Sequence, residues 1–143
     1  LVKLKREKPQ FKNLKYKKIL SYLSKMDNSK SDIALVSNKK ILETGTSNLL
    51  FVKNQKFFTP KKDYYEGNTY KFFKTKIKRI GKKDILLKEL NDYDEILLIG
   101  SGKGVTSVRT INELNWKRKN LNKFKFLSNQ YNAAINECDP YRF

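Results

Sequence analysis

The sequence predicts a single α+β domain covering residues 1–143, in which antiparallel strands are flanked by helices. A chain of this length has room for one hydrophobic core and little room for a second. Its hydrophobic fraction is 38% and its aromatic fraction 13%, which is enough apolar side chain for a packed core. Short apolar runs bounded by turn residues predict hairpins, and segments with helical spacing predict the flanking helices.

The first half of the chain begins with a predicted helix and continues with two predicted hairpins. Apolar residues recur at helical spacing over about residues 15–26. Strands are predicted at residues 33–36, from 41 onward, at 48–52 and at 56–59. The turns between paired strands are predicted at 37–39 and 53–55, and Pro60 closes the second hairpin. We interpret these strands as one antiparallel meander.

The second half alternates loops, strands and two further helices. A loop at 63–69 leads into a predicted helix whose last apolar position is Ile80 and which Gly81 is predicted to end. Strands are predicted at residues 85–87, 96–99 and 105–108. A polar turn at 112–115 precedes a predicted C-terminal helix at 122–137.

The charge and the cysteine count exclude several classes of function. The formal net charge is +18, but the basic residues are 27 lysines and 5 arginines, scattered along the chain. A nucleic-acid reader is expected to use more arginine, because its planar fork pairs with phosphates and bases. We therefore do not expect nucleic acid as a partner. Cys138 is the single cysteine and the chain has no histidine, which excludes an internal disulfide and a Cys–His metal site or nucleophile.

The apolar segments are too short for a membrane protein. No apolar run approaches the roughly 20 residues that a membrane helix needs. The first residues are charged and lack the apolar stretch of a signal peptide. We therefore expect a cytoplasmic protein without a membrane partner.

Two glycine-bearing loops have features of anion sites. Residues 67–69 enter a predicted helix, and residues 100–104 follow a predicted strand. Backbone N–H groups at a helix start and in a glycine-rich turn bind phosphate, and a hydroxyl such as that of Thr69 or Ser101 assists them. The second loop is not a nucleotide-binding P-loop, because Leu97 stands where that motif requires glycine. Taken separately, either segment also fits an ordinary turn.

Glu43 stands at the end of an apolar run and is followed by small hydroxyl residues. A carboxylate, two phosphate-type loops and an upstream lysine are the groups that a pyridoxal phosphate site requires. The lysine provides the Schiff base, the acid keeps the pyridine nitrogen protonated, and the loops hold the phosphate. In this interpretation residues 44–47 form a turn that lets the cofactor lie close to the backbone.

These motifs, taken in order, resemble the class IV pyridoxal-phosphate enzymes. That family includes branched-chain aminotransferases, D-amino-acid aminotransferases and 4-amino-4-deoxychorismate lyases. The matching segments are FKNLKY at 11–16, DIAL at 32–35, ETGTSNLLF at 43–51, TP at 59–60, GNT at 67–69, DEI at 94–96, GS at 100–101 and VTSV at 105–108. The resemblance implies a D-amino-acid-aminotransferase-like fold, of which this chain is the large cofactor-binding domain.

The resemblance also implies roles for individual residues. Lys12 is implied as the Schiff-base lysine and proton carrier, and Glu43 as the partner of the pyridine nitrogen. The phosphate is implied to lie against Asn68, Thr69 and Ser101. The rival to the first assignment is Lys15; the lysine at position 12 is favoured because Tyr16, four residues on, matches the family's spacing from lysine to aromatic residue.

The sequence departs from the family in ways that concern its partners. Lys15 stands where many relatives have asparagine, Asn68 replaces an apolar residue, and Gly104 replaces a frequent acidic one. The family's smaller N-terminal domain, which contributes a phosphate-contacting arginine, has no counterpart in these 143 residues. We therefore expect either a homodimer or a missing N-terminal domain, and a small-molecule amino substrate.

The leading hypothesis for function is a lyase that converts 4-amino-4-deoxychorismate to 4-aminobenzoate and pyruvate in folate biosynthesis. A class IV amino-acid aminotransferase with the same cofactor site is the alternative. A basic module that binds polyanions is an alternative of another class, and its affinity would fall steeply with salt.

Overall fold

The computed structural model describes residues 1–11 and 16–138. The strands are β1 (Val2–Lys3), β2 (Ala34–Ser37), β3 (Lys40–Thr44), β4 (Asn48–Lys53), β5 (Lys56–Pro60), β6 (Ile80–Lys83), β7 (Ile85–Leu86), β8 (Glu95–Gly100), β9 (Gly104–Ser107), β10 (Thr110–Ile111) and β11 (Trp116–Lys117). The helices are α1 (Lys17–Leu23), α2 (Asn68–Lys76) and α3 (Asn122–Glu137), with short 3₁₀ helices at Leu87–Asp92 and Asn112–Leu114. No helix within the described ranges is long and apolar enough to cross a membrane.

Two tight turns build the first half of the fold. The β2–β3 turn places Asn38 and Lys39 at φ 50° and 61°, and the β4–β5 turn places Asn54 and Gln55 at φ 50° and 64°. Two successive residues with positive φ form the turns whose twist matches that of antiparallel strands. Both strand pairs are antiparallel, so the two predicted hairpins are confirmed.

The two hairpins belong to different sheets. Within the described residues, β1-β2-β3-β7 form one sheet, β6-β5-β4-β8-β9 form a second, and β10-β11 form a separate pair. The interpretation as one meander is therefore wrong, because β4 pairs with the distant β8 and not with β3. Residues Asn48 to Val52 of β4 are all buried, and a strand buried on both faces takes the centre of a covered sheet. The α+β class with antiparallel sheets is confirmed, although β1 runs parallel to β2 and β5 runs parallel to β6.

Apolar side chains on the two faces of β4 pack into separate core clusters. Leu49 and Phe51 pack between the two sheets, together with Trp116. Leu50 and Val52 point the other way, into a cluster to which α2 and α3 contribute. On the outer face of the first sheet, Ile19 and Leu23 of α1 pack against Ile33 and Leu35. The helices thus cover the sheets from both sides, as the sequence predicts.

The boundary of α2 differs from the prediction. The helix ends at Lys76, and Ile80 with Gly81 belongs to β6. A Cβ atom at Gly81 would lie 2.8 Å from the Phe58 ring, so this glycine permits close approach to β5 and does not end the helix. By contrast, α3 spans Asn122–Glu137, as predicted.

Candidate active site

Glu43 is a buried carboxylate at the end of β3. Its relative exposure is 3%, and its Oε1 atom accepts a hydrogen bond from Nε of Arg6 at 2.9 Å. Burial raises the pKa of Glu43, while the Arg6 guanidinium and the backbone N–H of Tyr65 act in the opposite direction by stabilising the carboxylate. The structure thus places a carboxylate that is shielded from water and paired with a guanidinium at the end of β3.

Arg6 is a site residue that the sequence analysis missed. It lies 37 residues before Glu43, in a charged N-terminal segment to which the sequence analysis assigned no functional residue. Its side chain is 15% exposed, which is low for an arginine and indicates a specific partner. The only signal in the sequence is its residue type, one of 5 arginines among 32 basic residues.

The small hydroxyl residues after Glu43 form a tight turn. The Thr44 N–H donates to the Ser47 carbonyl at 3.0 Å, and the Ser47 N–H donates to Oγ1 of Thr44 at 2.9 Å. A Cβ atom at Gly45 would lie 3.1 Å from Ile33 and 3.2 Å from Ile19, so a glycine fits here because the turn packs against α1 and the start of β2. This turn connects β3 of the first sheet to β4 of the second.

Asn48 fixes the loop that leads into α2. Its Nδ2 atom donates to the Tyr65 carbonyl at 2.5 Å, and its Oδ1 atom accepts from the Gly67 N–H at 3.0 Å. Because Tyr65 also donates its N–H to Glu43, the carboxylate and the start of α2 are held by the same short loop. The sequence analysis matched this asparagine to the family pattern without assigning it a role.

The start of α2 and the loop after β8 bring two hydroxyls together. Oγ1 of Thr69 lies 3.3 Å from Oγ of Ser101. The first N–H groups of a helix have no intrahelical acceptor, and the residue before this helix, Gly67, provides no side-chain cap. Asn68 is the first residue of this helix and is exposed. Helix N–H groups beside two hydroxyls are suited to a phosphate.

The turn after Glu43 also touches the loop after β8. A Cβ atom at Gly100 would lie 2.7 Å from Oγ of Ser47, so the two backbones approach closely because residue 100 is a glycine. The structure therefore brings Glu43, Thr69 and Ser101 to one end of the two sheets, although they are far apart in sequence.

The predicted Schiff-base residue Lys12 and its rival Lys15 lie outside the described residues. The geometry of the other residues fits pyridoxal phosphate: a buried anion can face the ring nitrogen, and hydroxyl and N–H donors can hold the phosphate. Among the described residues there is no cluster of three or more potential metal ligands.

Comparisons with known proteins concern the family and the fold. The family model described as Amino-transferase class IV matches residues 2–111. The 4-amino-4-deoxychorismate lyase of Pseudomonas aeruginosa matches with a TM-score of 0.75 and 19% identity, over 90% of this chain and 50% of that chain. The branched-chain aminotransferase of Thermobaculum terrenum, in its pyridoxal-phosphate form, matches with a TM-score of 0.76 and 19% identity, over 92% of this chain and 46% of that chain.

A hypothetical aminotransferase from Mycobacterium tuberculosis, in a form bound to pyridoxal phosphate, matches with a TM-score of 0.69 and 19% identity, over 89% of this chain and 47% of that chain. No curated protein sequence matches the chain. At these identities the solved structures establish the fold alone, and this chain spans about half of their length.

Proposed function

The chain belongs to the class IV aminotransferase family, and from this premise we propose that it is the cofactor-binding domain of a lyase. The proposed reaction converts 4-amino-4-deoxychorismate to 4-aminobenzoate and pyruvate in folate biosynthesis, in the cytoplasm. Pyridoxal phosphate is the cofactor of this family. The observation that supports the proposed cofactor site is the buried Glu43–Arg6 pair near a helix start with two hydroxyls 3.3 Å apart.

Each described site residue has a proposed task in holding the cofactor. When bound, pyridoxal phosphate supplies a ring that accepts electron density from the carbon bearing the substrate amine. Glu43, which Arg6 helps to keep ionised, offers an anionic oxygen to a protonated ring nitrogen. Thr69, Ser101 and the N–H groups at the start of α2 offer donors to the phosphate.

Lys12 is proposed to move the protons in the lyase reaction. Its amine would remove the proton from the amine-bearing carbon of the substrate. Cleavage of the C–O bond to the enolpyruvyl group then makes the ring aromatic, and a proton returned to the released group gives pyruvate. The atoms balance without an oxidant, and no second substrate is needed.

An amino-acid aminotransferase is the second candidate. The proposed cofactor site serves both reactions. The likeness to the Thermobaculum terrenum branched-chain aminotransferase favours the aminotransferase. The short Gly100–Gly104 loop and the likeness to the Pseudomonas aeruginosa lyase favour the lyase.

Product analysis distinguishes the two candidates. The chain is incubated with 4-amino-4-deoxychorismate and pyridoxal phosphate, with and without an added keto acid. Equal amounts of pyruvate and 4-aminobenzoate in the absence of the keto acid support the lyase. Amino-group transfer that depends on the keto acid, without formation of 4-aminobenzoate, would contradict the lyase proposal and support the aminotransferase.

We expect the two facing hydroxyls to determine the affinity for the cofactor phosphate. Thr69→Val and Ser101→Ala each remove one donor to a charged group, which should weaken pyridoxal phosphate binding by about tenfold. Affinity for pyridoxal, which lacks the phosphate, should not change. Titration followed by absorbance measures both affinities, and Thr75→Val in the same helix is the matched control. Equal losses for both ligands would argue against contact with the phosphate.

Arg6→Met should destabilise the fold in a pH-dependent way. Removal of one partner leaves the buried Glu43 carboxylate unpaired, at a cost of about 3 kcal/mol near neutral pH. Burial raises the pKa of Glu43, and loss of Arg6 raises it further. A raised pKa means that stability is greatest where the group is protonated, so the defect should shrink as the pH falls through that pKa.

Urea unfolding over a pH series measures this effect, with Arg79→Met at an exposed position as the control. A defect that stays constant from neutral to acid pH would show that Arg6 acts by packing and not through the Glu43 charge.

We also propose that a partner completes the site. The chain spans about half the length of the solved structures that it resembles. The smaller domain of the family, or a second copy of this chain in a homodimer, would add donors to the phosphate and a wall for the amino substrate. Sedimentation with and without pyridoxal phosphate tests this proposal. A monomer that binds the cofactor tightly and turns over substrate unaided would contradict it.

A further inference from the structure

Asp32 is a buried carboxylate that the proposed mechanism does not use. Its side chain is 5% exposed, and its Oδ1 atom accepts from the Ile33 N–H at 2.8 Å. Its Oδ2 atom accepts from Oγ1 of Thr46 at 2.6 Å and from Nζ of Lys103 at 3.4 Å. One carboxylate thus joins the start of β2, the turn after Glu43 and the loop after β8.

Lys103 stands two residues after Ser101 in that loop. The loop is also fixed at both ends: Gly100 packs against Ser47, and Gly104, at φ +64°, lies where a Cβ atom would be 2.9 Å from the Tyr131 ring of α3. Gly102 lies in the middle of the loop, and a Cβ atom added to it would have no neighbouring atom within 4 Å. Between these ends the loop is restrained by the Lys103–Asp32 ion pair, together with the Thr69–Ser101 contact at 3.3 Å and a hydrogen bond from Oγ1 of Thr106 to the Lys103 carbonyl at 3.5 Å.

We propose that Asp32 and Lys103 are positioning residues for the cofactor phosphate. Their ion pair holds the loop so that the Ser101 hydroxyl faces Thr69 at 3.3 Å. The contact is 3.4 Å long, and it joins a carboxylate that is 5% exposed to a lysine side chain that is 26% exposed, so water screens it less than it screens a fully exposed pair. This inference rests on the proposed pyridoxal phosphate site. It adds two residues that do not touch the cofactor themselves and act by holding Ser101 in place.

A direct role for the Lys103 charge makes the opposite prediction. If Lys103 acted on the phosphate by its own charge, then Asp32→Asn would release the ammonium group and tighten phosphate binding. If the pair positions Ser101, then Asp32→Asn and Lys103→Met should weaken binding alike. Asparagine keeps an acceptor for Thr46 or Ile33, so the rest of the network loses little.

Binding of pyridoxal phosphate and of pyridoxal is compared for the wild type and four variants. Asp32→Asn and Lys103→Met should each raise the Kd for pyridoxal phosphate by about tenfold, with the Kd for pyridoxal unchanged. Lys103→Arg should restore wild-type binding, and Lys125→Met on the exposed side of α3 is the charge-matched control. Tighter binding by Asp32→Asn, or equal losses for both ligands, would overturn the proposal.

Amide hydrogen exchange of the cofactor-free protein provides a second readout. Both weakening variants should speed exchange at residues 101–104 with no change in the core strand β4. If the wild type does not bind pyridoxal phosphate, the proposed function fails, and this measurement still decides whether the pair restrains the loop. Unchanged exchange in that loop would overturn the inference.

Discussion

Lys12→Met is expected to abolish covalent attachment of pyridoxal phosphate and to reduce turnover by about 10²- to 10⁴-fold. The variant keeps most of the side-chain length and removes the amine, which we propose as both the attachment point and the proton carrier. The fold should persist, because one lysine among 27 is removed from a segment between β1 and α1.

Borohydride reduction followed by peptide mapping locates the attachment directly. The wild type should carry the label on Lys12 and lose its near-visible absorbance on reduction. The control variant Lys15→Met should carry the label on the same lysine. A label on Lys15, or on any other lysine, would show that the assignment is wrong.

Glu43→Gln is expected to leave pyridoxal phosphate bound and to slow turnover by about 10²- to 10³-fold. The amide oxygen can still accept the hydrogen bond from Nε of Arg6, so this contact should be kept. A neutral amide cannot stabilise a protonated ring nitrogen, so the ring should accept electron density less readily.

Cofactor affinity and single-turnover rates separate the two effects of this substitution. Glu137→Gln at the exposed end of α3 is the matched control. Turnover equal to that of the wild type would exclude the proposed role of Glu43, and loss of folding, seen as loss of the cooperative unfolding transition, would assign it a structural role.

The sequence predicted the hairpins because their turns depend on local chemistry. Asn38 and Asn54 each start a two-residue turn, and asparagine tolerates positive φ better than most residues. The C-terminal helix was predicted at the observed residues because its spacing of apolar side chains is also a local property. The end of α2 was predicted wrongly, because the spacing of Ile80 fits a helix while pairing with β5 places it in a strand.

The site was predicted in its parts and not in its connections. The family resemblance placed Glu43, Thr69 and Ser101 in one site, and the structure brings these residues to the same end of the sheets. The ion pair of Glu43 with Arg6 spans 37 residues, and that of Asp32 with Lys103 spans 71. Neither pair has a periodic or motif-like signal in the sequence.

The sequence by itself determined the class of fold, the hairpins, most of the helix positions and the family, since each depends on residues close together in the chain or on motifs in a fixed order. Only the tertiary structure decided that β4 pairs with β8 and that Arg6 neutralises a buried carboxylate. Burial is the physical reason. Long-range partners are selected by the need to cover apolar faces and to pair buried charges, and these requirements act only once the chain is folded.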